Sequence, residues 1–548
     1  MKNIHRLTLV AVSVAALLAG CATGTRSDSL GLAESEAAKT YVAAYQPARD
    51  LLNAGQFDEL KAKVLQNAVD KDGKPLSNEE AYEKLIADAS ELSIMERGLI
   101  ALNTGDVKRA LFFFDAAEEK LNLTEDHATV GDTAASAAKT GLAAVVGSAE
   151  LADYEVRSYE KVMLLNYKAL CHMLLGDRKA YNVTRRAIDL QQEEWEKFQQ
   201  EKVKLDEKLE KMKAQAKEEA AKQAQAEKAA PKKAEQPKTE EKKSALGGFL
   251  PSSLASFGQT EKTQGEQKPA TGFNAVLEIV GILGGLDVDD RSKSIVDKAN
   301  LVSSAYVNPF GDYVNAVLQE FDSLEDPALR DNARISYEKV VKNNKDCTAA
   351  KTAQKDAMKG IGDNQKLVQV ILADGFSPYQ VEKSREFQVG KYHATVNLAN
   401  ATPVESDVVK ARVKVGGKTV NMSSLTKMES IILRDEQDHM PWRTLNVATA
   451  LVRSAVANEK LGVLGNFAAS QIQHPDTRSW LTLPNQVLVS RIVVPANQKT
   501  LEVTTLDKGG KTLSSAKVEL ADKGPTVVYA VNYGTHMQAY ANAFSWVN

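Results

Sequence analysis

The sequence predicts an α+β multidomain chain: an N-terminal α-solenoid of helical hairpins, a long charged arm that is first helical and then disordered, and a C-terminal β-rich, sandwich-like domain. Three observations carry this expectation. Apolar residues recur at spacings of three and four on either side of glycine-centred breaks at Asn53-Ala-Gly-Gln56, Asn103-Thr-Gly-Asp106 and Leu174-Leu-Gly-Asp177. From Gln191 to about Ala230, Lys and Glu alternate with Ala, which suits an exposed helix laced by pairs three and four apart. In the last third the period changes to two, and Val, Thr and Tyr dominate short runs separated by glycines.

The chain opens with a basic stretch, Met1 to Arg6, an apolar run, Leu7 to Leu17, and then Leu18-Ala-Gly-Cys21. A run of that length is a secretory signal and too short to span a bilayer. Leu18-Ala-Gly-Cys21 resembles the bacterial lipobox, which implies a diacylglycerol thioether on Cys21 and an acylated mature N-terminus. Ala22 follows where retention in the inner membrane would call for aspartate, so the resemblance implies an outer membrane and its periplasmic face. The expected boundaries are residues 1–20 for the signal peptide, 21–33 for a flexible tether and 34–200 for the hairpins. Residues 201–270 form the arm and linker, 271–375 a further helical hairpin region, and 376–548 the β-rich domain with an inserted helix.

With 548 residues and 43% hydrophobic composition, the chain can build more than one core. The net charge is −3, and loss of Lys2 and Arg6 with the signal peptide takes it to −5. A mildly acidic balance argues against nucleic acid and anionic headgroups as partners. Beyond Cys21 only Cys171 and Cys347 remain. In an oxidising compartment they either pair or stay as buried thiols, and the apolar setting Leu170-Cys-His-Met-Leu-Leu175 favours the second.

In order, the first hairpin runs from Tyr41 to Gln66, the second from Glu91 to Leu121, and the third from Tyr159 to Ile188. The breaks resemble tetratricopeptide repeats, with Gly105, Ala110, Phe114 and Ala117 at that motif's small and large positions. This implies a stacked array, because one hairpin cannot bury its apolar face alone. Gly131 to Ala149 is either a close-packed helix or a mobile loop. Pro231 to Thr271 has little to bury, apart from the short apolar segment Leu246-Gly-Gly-Phe-Leu-Pro251 with Leu254 and Phe257. Phe273 to Leu283 suits a buried helix, with a membrane-grazing segment as the second reading, and Asp312–Leu324 and Ala333–Val341 one more hairpin. Strands are expected at 385–398, 408–415, 487–494, 500–505, 515–520 and 527–533, with turns at Gly416-Gly417 and Lys508-Gly-Gly510 and a helix over Thr444–Lys460. They would form a β-sandwich or a partly open sheet.

Tyr159-Glu-Lys-Val-Met-Leu-Leu-Asn-Tyr-Lys-Ala-Leu170 with Leu175-Gly-Asp177, Ala305-Tyr-Val-Asn-Pro-Phe310 with Tyr313, and Asp476-Thr-Arg-Ser-Trp-Leu-Thr-Leu-Pro484 resemble a family of uncharacterised bacterial outer-membrane lipoproteins with tetratricopeptide-like repeats. The resemblance assigns no reaction and implies a place in envelope assembly. No Gly-x-Ser-x-Gly elbow, His-Glu-x-x-His helix, Walker loop or paired-cysteine metal site occurs, so no enzyme activity, cofactor or metal is expected. His439, within Asp435-Glu-Gln-Asp-His-Met-Pro-Trp442, is the closest approach to a ligand cluster and matches no metal loop. The binding candidates are Asp476, Arg478 and Trp480: a flat indole, a bidentate donor and an acceptor suited to a sugar, carboxylate or peptide edge. The alternative at that loop is structural, with Trp480 in the core and Arg478 paired to Asp476. The leading expectation is a lipid-anchored adaptor binding envelope proteins through a helical-repeat groove. A peptidoglycan-binding module acting through the Trp480 loop comes second, and an envelope hydrolase a distant third.

Overall fold

The computed structural model describes residues 41–64, 77–123, 154–229, 280, 290–389, 392–461, 475–522 and 524–546. The signal peptide, Cys21, the tether, Gly131–Ala149, His474, the segment from Leu246 to Phe257 and nearly all of Phe273–Leu283 lie outside the described residues. The fold is α+β. Its helices include α1 (Tyr41–Asn53), α2 (Phe57–Val64), α3 (Asn78–Asp88), α4 (Glu91–Asn103), α5 (Val107–Lys120), α6 (Ser158–Leu174) and α7 (Lys179–Ala229).

The three glycine breaks share one geometry. Gly55, Gly105 and Gly176 have φ of 70°, 85° and 69°, a left-handed conformation that glycine adopts without Cβ strain. In each, the glycine N–H bonds the carbonyl three residues back, and the next N–H reaches five back: Gln56 to Leu51 (2.9 Å), Asp106 to Ala101 (2.8 Å) and Asp177 to His172 (2.9 Å). These are Schellman closures, which satisfy the orphan carbonyls of α1, α4 and α6. Asp106 then caps α5 by accepting from the Arg109 N–H. Helix α7 continues the third hairpin for 51 residues, about 75 Å at 1.5 Å per residue, and so crosses residue 200 without interruption. Leu205, Leu209, Met212 and Ala216 form a buried stripe along it.

Helices α8 (Asp290–Ala299), α9 (Phe310–Glu325), α10 (Arg330–Asn343) and α11 (Thr348–Asp356) lead into the strands. One sheet has the order β11-β10-β1-β7-β6: β11 (His536–Ala543), β10 (Thr526–Tyr533), β1 (Gln365–Asp374), β7 (Gln486–Pro495) and β6 (Ser423–Lys427). A second has the order β5-β4-β8-β9: β5 (Lys418–Asn421), β4 (Lys410–Val415), β8 (Thr500–Leu506) and β9 (Thr512–Glu519). Strands β2 (Tyr379–Val389) and β3 (Tyr392–Thr402) pair as a separate ribbon, and α12 (Met428–Leu461) follows β6.

The central strand β1 falls inside the 271–375 span expected to be helical. It is buried at nine successive positions after Gln365, and a strand covered on both faces reads as a continuous apolar run, which periodicity alone does not separate from a buried helix. The run expected as one strand over 385–398 is instead divided between β2 and β3. Strands β5, β6 and β11 are additions to the expected set.

Alternation along β1 sorts the molecule into three layers. Val368, Val370 and Leu372 meet Val413, Leu501, Val503 and Val518 of the four-stranded sheet. Leu367 and Ile371 face the helices, in a core that runs through Tyr45, Leu99, Phe114 and Tyr167 to Tyr313 and Tyr529. The described helices of the hairpins and the five-stranded sheet therefore close the same hydrophobic core.

Strand β11 lies across the hairpin turns. A Cβ on Gly55 would sit 2.5 Å from Cδ2 of His536, whereas one on Gly105 would meet Tyr540 at 3.7 Å. The Tyr540 hydroxyl donates to the Leu102 carbonyl (2.8 Å), and Asn542 Nδ2 donates to that of Leu174 (3.0 Å). The chain end clasps the same body, with Phe544 on Phe321 at 4.5 Å and Trp546 Nε1 donating to Asp322 (2.7 Å).

Gly55→Ala is expected to destabilise more than Gly105→Ala in denaturant titration. Each incurs about 1–2 kcal/mol of left-handed strain, but only the first also collides with a side chain, and adding His536→Ala should restore that excess. Cys171 and Cys347 are free and fully buried. Both should react with a thiol reagent only after unfolding, with or without prior reduction.

Candidate functional site

The loop from Asp476 to Pro484 enters β7, and its residues point inward. Arg478 donates from Nε and Nη2 to the two Asp476 carboxylate oxygens at 2.8 and 2.6 Å, and its backbone N–H reaches Asp476 Oδ1 at 2.9 Å. The guanidinium lies over the Tyr154 ring at 5.3 Å. Trp480 is 1% exposed and meets Phe114 and Tyr167 edge-on, with centroids 6.4 and 6.2 Å away. The three candidates are thus neighbours, as the sequence suggests, but they do not form a binding face. The indole offers nothing for a sugar to stack on, and the Arg–Asp fork is closed on itself. Of the two alternatives at this loop, the geometry matches the structural one.

What holds the loop is a pair of glutamates from the helices. Glu160 on α6 accepts the Trp480 N–H at 2.8 Å, while its other oxygen accepts the Arg157 N–H (3.0 Å) and the Tyr154 hydroxyl (2.7 Å). Glu96 on α4 accepts the Leu481 N–H at 2.6 Å and the Thr482 N–H at 3.1 Å, and also the Thr482 hydroxyl. Both glutamates are fully buried. Burial pushes the Glu96 carboxyl up to about 7, against the opposing pull of the Thr482 and Leu481 bonds and of nearby Arg49. Burial raises Glu160 as well, offset by Arg157.

Neither glutamate stands out in a motif search, but Glu96 leaves a sequence trace. It occupies a position between Leu92 and Leu99 on the apolar stripe of α4, where a carboxylate needs partners from another element.

Several other buried charges are committed in the same way. Arg491 forks onto Glu320 (2.6 Å), whose other oxygen accepts from Tyr337 (2.7 Å) and Gln369 (3.0 Å). Arg186 pairs with Glu118 at 2.7 Å, and Lys168 contacts the same carboxylate. At His439, Nδ1 lies 2.8 Å from the Asp435 carbonyl and 3.4 Å from its carboxylate. Burial disfavours the His439 imidazolium, but Asp435 outweighs it and raises the pKa. Among the described residues, no three His, Cys, Asp or Glu side chains converge as metal ligands. No family model, curated protein or solved structure matches the chain.

Trp480→Ala is expected to cost about 3–5 kcal/mol, read as a large fall in melting temperature. Glu96→Ala strands three buried donors and should cost at least about 3 kcal/mol. The folded Glu96 pKa lies above its unfolded value of 4.5. Its stabilisation is therefore complete below about pH 4.5 and lost as pH rises through about 7. Denaturant titrations from about pH 5 to 8 should show a shallower decline for Glu96→Gln than for the parent, with Glu160, His439 and the other groups whose pKa is raised in the fold contributing to the residual slope.

Proposed function

We propose that the protein is a lipid-anchored, non-enzymatic adaptor on the periplasmic face of an outer membrane, serving envelope assembly, and that its hairpins form a tetratricopeptide-like array. The observation that carries this is Leu18-Ala-Gly-Cys21 behind a basic and apolar leader. Several acyl chains on Cys21 would hold a chain whose described helices are none long and apolar enough to cross a membrane. The repeated Schellman turns support the array. The buried carboxylates, each engaged by backbone or side-chain donors, support a scaffold in preference to a reaction site.

The inner surface of the hairpins is filled by the chain's own Trp480, Leu481 and Leu483, all 1% exposed or less. Partners of such an adaptor are therefore sought on its outer surfaces and not in a repeat groove. The longest of these is α7, where Glu201, Lys202, Val203 and Lys204 are all exposed and Val203 is 57% accessible.

Cys21→Ala is expected to abolish palmitate incorporation and to move the protein from the membrane to the soluble periplasmic fraction. A photo-crosslinking residue placed at Val203 and at other exposed α7 positions should trap envelope proteins in intact cells. The absence of adducts at every such position would overturn the adaptor role, whatever the outcome of the labelling.

A further inference from the structure

We propose that the solvent face of the α10–α11 hairpin docks on anionic phospholipid headgroups. Residues 330–360 carry eight basic and four acidic side chains, in a chain whose net charge is −3. A global acidic balance thus conceals a cationic face. On α10, Ile335, Lys339 and Lys342 recur at i, i+4 and i+7, opposite the buried Ala333, Tyr337 and Val340. On α11 and the turn after it, Lys351, Lys355 and Met358 repeat the spacing, opposite the buried Ala350 and Ala353. Lys345 is exposed in the connection between the two helices.

Three of the four acids are already neutralised. Arg334 binds Asp331 at 2.7 Å and Glu338 at 3.1 Å, and Lys359 binds Asp356 at 2.7 Å. Among the described residues, no ion pair reaches Lys339, Lys342, Lys345, Lys351 or Lys355, all of them exposed. Each stripe also carries one exposed apolar side chain: Ile335 is 41% and Met358 50% accessible, two of the six large hydrophobics exposed in the described structure.

That pairing of spread positive charge with isolated apolar side chains selects the ligand. A single small anion needs convergent donors, and a hydrophilic polyanion has no use for Ile335 and Met358. A bilayer surface offers phosphates to the lysines and the acyl boundary to the apolar pair. The attraction stands apart from the anchor at Cys21, and in an anchored protein it would fix orientation at high effective concentration.

The test is co-sedimentation of the chain from Ala22 onward, which keeps every described residue but has no acyl chain, with vesicles of phosphatidylglycerol or phosphatidylcholine. Binding to the first, weak binding to the second and loss in high salt are expected. Charge reversal at Lys342, Lys345, Lys351 and Lys355 should lower the partition coefficient more than about tenfold, with the four Lys→Gln changes intermediate. Ile335→Ser with Met358→Ser should also weaken it at unchanged melting temperature. Equal binding to both vesicles, no binding to phosphatidylglycerol at low salt, or unaltered binding by the charge-reversed variant with its fold intact would each overturn the proposal. Retention of vesicle binding in the presence of excess inorganic phosphate is expected of a headgroup surface, and its loss would point to a free-phosphate site.

Discussion

The structure depends on two carboxylates that reach out of the helical hairpins and hold the backbone of the loop before β7. Glu96 and Glu160 between them accept three consecutive N–H groups, from Trp480 to Thr482. A loop buried between layers would otherwise carry unpaired donors into an apolar interior, at roughly 1–3 kcal/mol each. Backbone groups are present in any sequence, so this contact does not specify which side chains the loop carries. It specifies where the chain runs, and Phe114 and Tyr167 then select the indole at Trp480. Burial makes the ionised form of Glu96 the costly one, and the donors of Leu481 and Thr482 offset part of that cost.

The same device recurs at the sheet margins. Asn344 donates to the Ser424 carbonyl (2.9 Å) and the Leu425 carbonyl (2.7 Å), so the free edge of β6 is occupied by the connection between α10 and α11. Glu436 on α12 accepts the Ala401 N–H at 2.6 Å, and Arg443 donates to the Ala399 carbonyl at 3.2 Å, so α12 does for β3 what a neighbouring strand would do. At β11 the face that carries His536, Tyr540 and Asn542 meets the hairpin turns. Side chains of helices thus close edges that would otherwise pair with other chains. The helical and β-rich parts are consequently mutual covers, each supplying polar groups that the other lacks.

Local rules made much of this legible. The three glycine turns, the hairpin turns at Gly416-Gly417 and Gly510, and most strands of the last third follow from residues that fix their own backbone. Elements whose character depends on what covers them were harder to read. β1 is buried on both faces, so its side chains alternate in direction while its hydropathy does not. β11, His-Met-Gln-Ala-Tyr-Ala-Asn-Ala, has little β-branched content and takes its place from the turns beneath it. At the candidate loop, Asp476, Arg478 and Trp480 are correctly recognised as unusual company, but burial reverses their meaning. A tryptophan with an arginine and an aspartate suits a ligand when the indole faces water and suits a core anchor when it does not. Sequence spacing contains no record of which applies, because the residues that decide it, Glu96 and Glu160, lie more than 300 positions away.

A consequence follows for how such a body can engage others. Repeat arrays that recognise peptides leave an inner surface open, with polar side chains waiting for an extended backbone. In this chain Glu96 on α4 and Glu160 on α6 hold backbone too, but it is a turn of the chain's own, from Trp480 to Leu483. Exchange of that segment for a partner's would require Trp480, Leu481 and Leu483 to leave a close-packed interior. Three such side chains together bury enough apolar surface to oppose release by several kcal/mol, at about 1.5–3 kcal/mol each. Surface charge carries no comparable barrier. The lysines of α10 and α11, the mixed charges of α7 and the exposed Val203 are reachable without any rearrangement, so the partners proposed above would meet these outer faces without displacing the core.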